Sequence, residues 1–199
     1  LFLATERLDV DRVVAVSGPS ARDPRLIHAR LGAAIDELAA DEAAEGSPRV
    51  LSGSVWNGRS AAGEERGYLG RFHQQITLLP EDDQRRFLGW LGPGTRKFSV
   101  HRLFLSWLTG RSRAEFSTSS HGSRRSMVPL GAYEKVFPFD LMATFLLRSM
   151  LAGDMERSQD LGVLELDEED LALTSFVCPS KIDFGPVLRE LLARIEKEG

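Results

Sequence analysis

Residues 11–32, "DRVVAVSGPSARDPRLIHARLG", decide how the first half of this chain folds. "DRVVAVSGPS" is a run of β-formers stopped by a turn at Gly18 and Pro19, and it predicts a strand. "PRLIHARLG" then alternates, with Ile27, Ala29 and Leu31 on one face, which predicts a second strand. Working outward, "AAIDELAADEAAEG" (33–46) reads as a short helix ended by Gly46. "PRVLSGSVWNGRS" (48–60) reads as a third strand running into a loop with Gly53 and Gly58.

Strand–strand–helix–strand within residues 11–60 resembles a β-grasp module, and a generic α+β layer has the same pattern. Further on, residues 67–94 suggest two strands around an acidic turn at Glu81–Asp83. Residues 96–110 continue as extended or irregular chain, and "TSSHGSRRSMVPLG" (118–131) is loop-like. From Pro138 the period becomes helical. Phe139–Leu151 carries a dense apolar face, and Asp154 is placed to cap a short helix to Leu161. Asp167–Phe176 opens with acids, favourable at the positive end of a helix. Pro186 sits early in a last helix to about Glu196, where proline is tolerated.

The whole chain of 199 residues is 42% hydrophobic and 27% charged, ordinary for a globular protein with a sizeable core. A net charge of −4 and a pI near 5.6 argue against nucleic acid as a partner. A single cysteine forms no internal disulfide and fits a reducing compartment. No apolar run reaches the ~20 residues of a membrane span; the longest, "FDLMATFLLRSMLAG", is broken by Asp140 and Arg148. The start "LFLATERLDV" has neither an initiator Met nor a signal peptide, so it reads as a piece of a longer protein.

Few motifs carry chemistry. "GPGTRK" lacks the spacing of a phosphate loop, and Pro93 removes an amide donor. His28, His73, His101 and His121 lack zinc spacing and read as surface or hydrogen-bonded residues. "SGS" around Gly53 is not a nucleophile elbow. "ELDEED" (165–170) is consecutive rather than spaced as a calcium loop, so a solvated helix start is expected.

The sole cysteine stands in "LTSFVCPSK" (173–181), and Cys-Pro closes the iron–sulfur run C-x2-C-x2-C-x3-C-P. Counted back from Cys178, that spacing falls on Glu168, Leu171 and Thr174. Counted back from Pro138, it falls on Met127, Leu130, Tyr133 and Phe137. One thiolate cannot hold a cluster, and by pattern alone the two sets are compatible with chance in a helical bundle.

Five segments, "GYLGRFHQQITLLPE", "FLGWLGPGTRKFSV", "MVPLGAYEKVFPFDLMATFLLRSMLAGD", "LGVLELDEEDLAL" and "LLARIEKEG", are together similar to the C-terminal part of the A subunit of the Na+-translocating NADH:quinone oxidoreductases. The family's N-terminal, Rossmann-like portion is absent. The resemblance implies an α+β chain: an SLBB-type β-grasp module with extra strands, then an α-helical domain resembling a degenerate ferredoxin-like helical region. The expected bounds are a linker at 1–11, the SLBB-like part at 12–110, a connector at 111–126 and the helical domain at 127–199. Similar modules occur in the NADH-binding subunit of respiratory complex I and in the C subunit of the Rnf complex, whose ferredoxin runs precede helices. By that likeness Cys178 survives from a ligand set whose partners became Glu168, Leu171 and Thr174. The other set became Met127, Leu130, Tyr133 and Phe137, with large side chains filling the vacated volume. Cys178 is then structural.

The functional expectation is a peripheral, cofactor-free subunit on the cytoplasmic face of the bacterial inner membrane, not itself catalytic and without a metal site. It would assemble chiefly on the membrane-embedded B subunit, and its relation to the ubiquinone site is part of the expectation. Flavins and iron–sulfur centres are expected in other subunits. A candidate ligand loop is Gly53, Trp56 and Gly58, where glycines permit close approach and the indole offers a ring face; a β-turn with a packed Trp is the plainer reading. The alternatives are a stand-alone ligand-binding β-grasp protein and an active electron carrier.

Overall fold

A computed structural model describes residues 8–42, 47–63, 65–82, 91–95, 98, 100, 104–108 and 116–198. The chain divides into two compact units, Leu1–Ser119 and Ser120–Gly199.

The first unit is built on a five-stranded sheet. Its strands are β1 (Asp11–Ser17), β2 (Arg25–Arg30), β3 (Arg49–Ser52), β4 (Arg59–Ser60) and β5 (Gln75–Leu79), in the order β2-β1-β5-β3-β4. β1 pairs antiparallel with β2 and parallel with β5, with Val16 opposite Ile76. β5 in turn pairs antiparallel with β3. Alternation in β1 buries Val14 and Val16 and leaves Val13 outside. These valines pack with Ile35, Leu69, Ile76 and Leu78 in one apolar cluster. β5, the central strand, is buried from Ile76 to Leu79 on both faces.

Three expectations are corrected or fall outside this description. The helix expected over 33–46 is only one turn, α1 (Ile35–Leu38). The chain leaves it because Glu42 is drawn back to the β1–β2 connection. Its buried carboxylate pairs with Arg25 and accepts the Asp23 N–H (3.2 Å), and its carbonyl accepts the Arg22 N–H (2.9 Å). Gly46 lies outside the described residues, as do residues 83–90, where the strand after the acidic turn was expected. Within 96–110 the described part is a single 3-10 turn, Leu105–Trp107.

The second unit is helical: α2 (Ala143–Ala152), α3 (Met155–Asp160), α4 (Ala172–Val177) and α5 (Phe184–Glu198), with 3-10 turns at Val163–Glu165 and Glu168–Leu171. α2 begins later than Phe139. The Glu134 carboxylate reaches forward to accept the Thr144 N–H (3.3 Å) and its hydroxyl, capping the helix from ten residues upstream. Those hydrogen bonds, first the one from the Thr144 side chain, hold the Glu134 carboxyl below its ordinary value. Gly153 closes α2 in the left-handed conformation, and Asp154 caps α3 by accepting the Arg157 N–H (3.1 Å). Asp167 and Asp170 form a reciprocal capping box where the acidic run begins. α5 runs two residues further than expected. Leu146, Leu147, Leu171, Phe184 and Leu188, all fully buried, form the centre of this unit. Among the described residues no helix is long and apolar enough to cross a membrane.

Candidate functional site

The glycine loop after β3 is one candidate. Ser52, the last residue of β3, is fully buried. Its Oγ accepts the Gly70 N–H (3.0 Å) and lies 2.8 Å from His73 Nδ1. Gly53 then turns at φ +103°; its N–H donates to the Gln75 carbonyl (2.7 Å) and its carbonyl accepts the Thr77 hydroxyl (2.8 Å). Beyond it, Gly58 N–H donates to the Ser54 carbonyl (2.8 Å), and the Ser54 and Asn57 side chains meet at 2.5 Å. Trp56, 39% exposed, sets its ring edge-to-face on Phe116 with centroids 5.6 Å apart.

Both glycines are closely packed. A Cβ on Gly53 would stand 2.9 Å from the Gly58 Cα and 3.2 Å from the His73 ring. A Cβ on Gly58 would stand 2.3 Å from the Ser54 carbonyl oxygen. The close approach these glycines permit is the chain's own approach to itself. His73 is a hydrogen-bonded residue, as its isolation from other metal-ligating types implied. Its contact with Ser52 carries no signal in sequence spacing, since β4 and a long turn lie between them.

The second candidate is the pair of degenerate runs. Tyr133, Leu171, Thr174 and Cys178 are buried, and Tyr133, Leu171 and Cys178 share one core cluster. Tyr133 Oη lies 3.3 Å from Cys178 Sγ, so the two runs meet at one contact. The Tyr133 ring also stands edge-on to Phe184, centroids 5.9 Å apart. Burial pushes the Tyr133 phenol well above its ordinary value, reinforced by its hydrogen bond with Cys178. Met127 and Phe137 pack, partly buried, against the same cluster.

Leu130 and Glu168 do not join them. Leu130 is 56% exposed. Glu168 opens the 3-10 turn before α4 and pairs with Arg189 on α5. The segment from Glu168 to Val177 is nearly continuous helical backbone, so its inward face is set by i, i+3 and i+4 neighbours rather than by a loop around one point. Thr174 Oγ1 has no hydrogen-bond partner among the described residues. No group of three or more His, Cys, Asp or Glu among the described residues is placed to hold a metal ion.

Comparison with known proteins agrees with the resemblance read from the segments. Residues 13–63 match the family described as NQRA C-terminal domain, whose model carries the SLBB label. The A subunit of the Na(+)-translocating NADH-quinone reductase of Saccharophagus degradans is 53% identical over 193 residues, 97% of this chain and 43% of that protein. The proteins of the same name from Shewanella denitrificans and Tolumonas auensis are 53% and 49% identical, over 96% and 100% of this chain. This chain spans less than half the length of these relatives, 43% to 44%. Along its whole length it is a homologue of the A subunit of the Na+-translocating NADH-quinone reductases.

Proposed function

We propose that this homologue is the C-terminal part of a peripheral, cofactor-free subunit in a respiratory complex that couples NADH oxidation and ubiquinone reduction to Na+ export. The observation that carries this reading is identity of about half along both units, 53% over 97% of the chain in one relative. In this reading electrons pass through flavins and iron–sulfur centres of other subunits. The chain assembles on the membrane-embedded B subunit, on the cytoplasmic face of the bacterial inner membrane, and helps shape the quinone site. Its first unit is a β-grasp of the SLBB type, which a sheet with β1 and β5 parallel at its centre supports. Its second unit is a degenerate ferredoxin-like region, which the Tyr133–Cys178 contact supports.

The test is made in membranes. The full-length subunit carrying this sequence should co-purify with integral membrane subunits of the complex, and its deletion should abolish NADH-driven Na+ uptake into inverted vesicles. The purified subunit should show no flavin or iron–sulfur absorbance. Recovery of this subunit without others, with Na+ uptake intact after deletion, would favour a stand-alone ligand-binding protein. Stoichiometric flavin or iron–sulfur absorbance would favour an electron carrier.

A further inference from the structure

The second unit has an open groove of about 540 Å3 that nothing above uses. Arg124 and Arg125, on the extended stretch before Met127, line it together with Arg148 on α2. Its apolar lining includes Met127, Leu151 and Val187. The extended stretch is fixed in place. Arg125 N–H donates to the Ser180 carbonyl (2.9 Å), and the buried Ser180 hydroxyl donates to the Ser126 carbonyl (2.7 Å).

Three features need explanation together. Acidic residues outnumber basic ones in residues 120–199, yet three arginines gather here. None of the three has a side-chain ion pair or hydrogen-bond partner among the described residues. Two acids of this unit are committed elsewhere, Glu168 to Arg189 and Glu190 to Arg194. Like charges brought together without counter-charges repel, so the arrangement favours an anionic occupant. Guanidinium forks suit carboxylates in particular, through paired N–H donors. The apolar lining requires that the occupant also carry apolar side chains. The surface continues along α2, where Met142 and Phe145 stand exposed at helical spacing before Arg148.

We infer that this groove seats a peptide segment of another subunit in which acidic and apolar residues alternate or share a helix face. The inference rests on the assembly reading above and deepens it by assigning the surface. A peptide chain suits the groove better than a bilayer does, because the apolar residues line a concavity that a flat membrane surface does not enter. Carboxylates on the segment pair with Arg124, Arg125 and Arg148, while its apolar side chains cover Met127, Leu151 and Val187. The extended shape of the groove wall and its anchored backbone favour a preorganised seat, which limits the ordering lost on binding.

The experiment uses the full-length subunit in its complex. Combined Arg124→Glu, Arg125→Glu and Arg148→Glu should weaken its retention on the other subunits by about tenfold or more at low salt, with the loss shrinking as salt rises. Arg66→Glu, on the exposed surface of the first unit, serves as the control and should leave retention unchanged. A second measurement does not depend on the variant's folding. Cys178 is buried, so Ser126→Cys introduces the one accessible thiol of this region. A benzophenone attached there should cross-link, in the assembled complex, to an acidic and apolar segment of another subunit, identified by peptide mass spectrometry. Undiminished retention of the reversed variant, or cross-links confined to lipid or to this chain, would overturn the inference and leave the assembly reading standing. Loss of binding to phosphatidylglycerol vesicles without loss of retention would also overturn it, by making the occupant a lipid. Failure of the wild-type subunit to co-purify with any other subunit would instead overturn the assembly reading, and this inference with it.

Discussion

The two units bury polar groups on different terms. In the sheet unit Ser52, Thr77 and Glu42 are all buried, and each is tied to a remote stretch of chain: Ser52 to Gly70 and His73, Thr77 to Gly53, Glu42 to Arg25 and Asp23. These hydrogen bonds hold short strands and long turns in register. In the helical unit Ser158 and Ser149 satisfy each other within one α2–α3 corner (3.0 Å), the buried Ser180 hydroxyl donates to the remote Ser126 carbonyl (2.7 Å), and Tyr133 meets Cys178. Thr174 is buried with no partner among the described residues. The buried polar side chains of the first unit are therefore all partnered, whereas the second unit carries one, Thr174, without a partner among the described residues.

The largest effect that separates the units is a cavity in the helical core. Leu171 is fully buried, so Leu171→Ala should lower the stability of the second unit by about 2–5 kcal/mol. The readout is clean because Trp56, Trp90 and Trp107 all precede residue 120. The helical circular dichroism signal should melt at lower denaturant, while tryptophan fluorescence holds its midpoint. If the fluorescence transition moves equally, the two units unfold as one and the contrast between them is only local.

The opposite unit is tested by removing a satisfied hydroxyl. Ser52→Ala leaves the Gly70 N–H and one His73 ring nitrogen, both partly buried, without their Ser52 partner, for a loss of about 1–3 kcal/mol. Here the fluorescence transition should move and the helical one should stay. A loss within experimental error would mean that the loop closes without Ser52 and that its glycines alone set its shape.

Local signals were legible where neighbours in sequence decide the outcome. The alternation of β1, the Asp154 cap and Pro186 at the start of α5 are of this kind. Long-range partners decided the rest. Glu42 shortens α1 by pairing with Arg25, and Glu134 delays α2 by capping it from a distance. The ferredoxin spacing selected Leu171, Thr174 and Cys178, which are buried, because a helical period of three and four also visits one inward face; Tyr133, in a turn outside any helix, is buried through its packing with Cys178 and Phe184. The same count selected Leu130 and Glu168, which that face does not include. The arginine groove had only the "RR" doublet as a trace, since Arg148 joins it through the fold alone.

The smallest effect has the opposite sign, and it decides whether the contrast between the units is real. Thr-to-Val exchange usually destabilises a protein, because a buried hydroxyl has a partner that the methyl group strands. Thr174 has no partner among the described residues, so the folded state already bears the desolvation of that hydroxyl without return. Valine keeps the β-branched shape on α4 and replaces the hydroxyl with a methyl group of similar size. Its neighbours in the core are apolar: Leu171 one turn earlier, Cys178 one turn later. Thr174→Val should therefore raise the stability of the second unit by about 1 kcal/mol, seen as a higher denaturant midpoint of the helical signal with an unchanged slope. Thr174→Ala in parallel removes the methyl as well and should lose stability through the cavity. If Thr174→Val is instead destabilised as strongly as Ser52→Ala, the hydroxyl has a buried water as partner. The buried polar side chains of the helical unit would then all be partnered, as those of the sheet unit are.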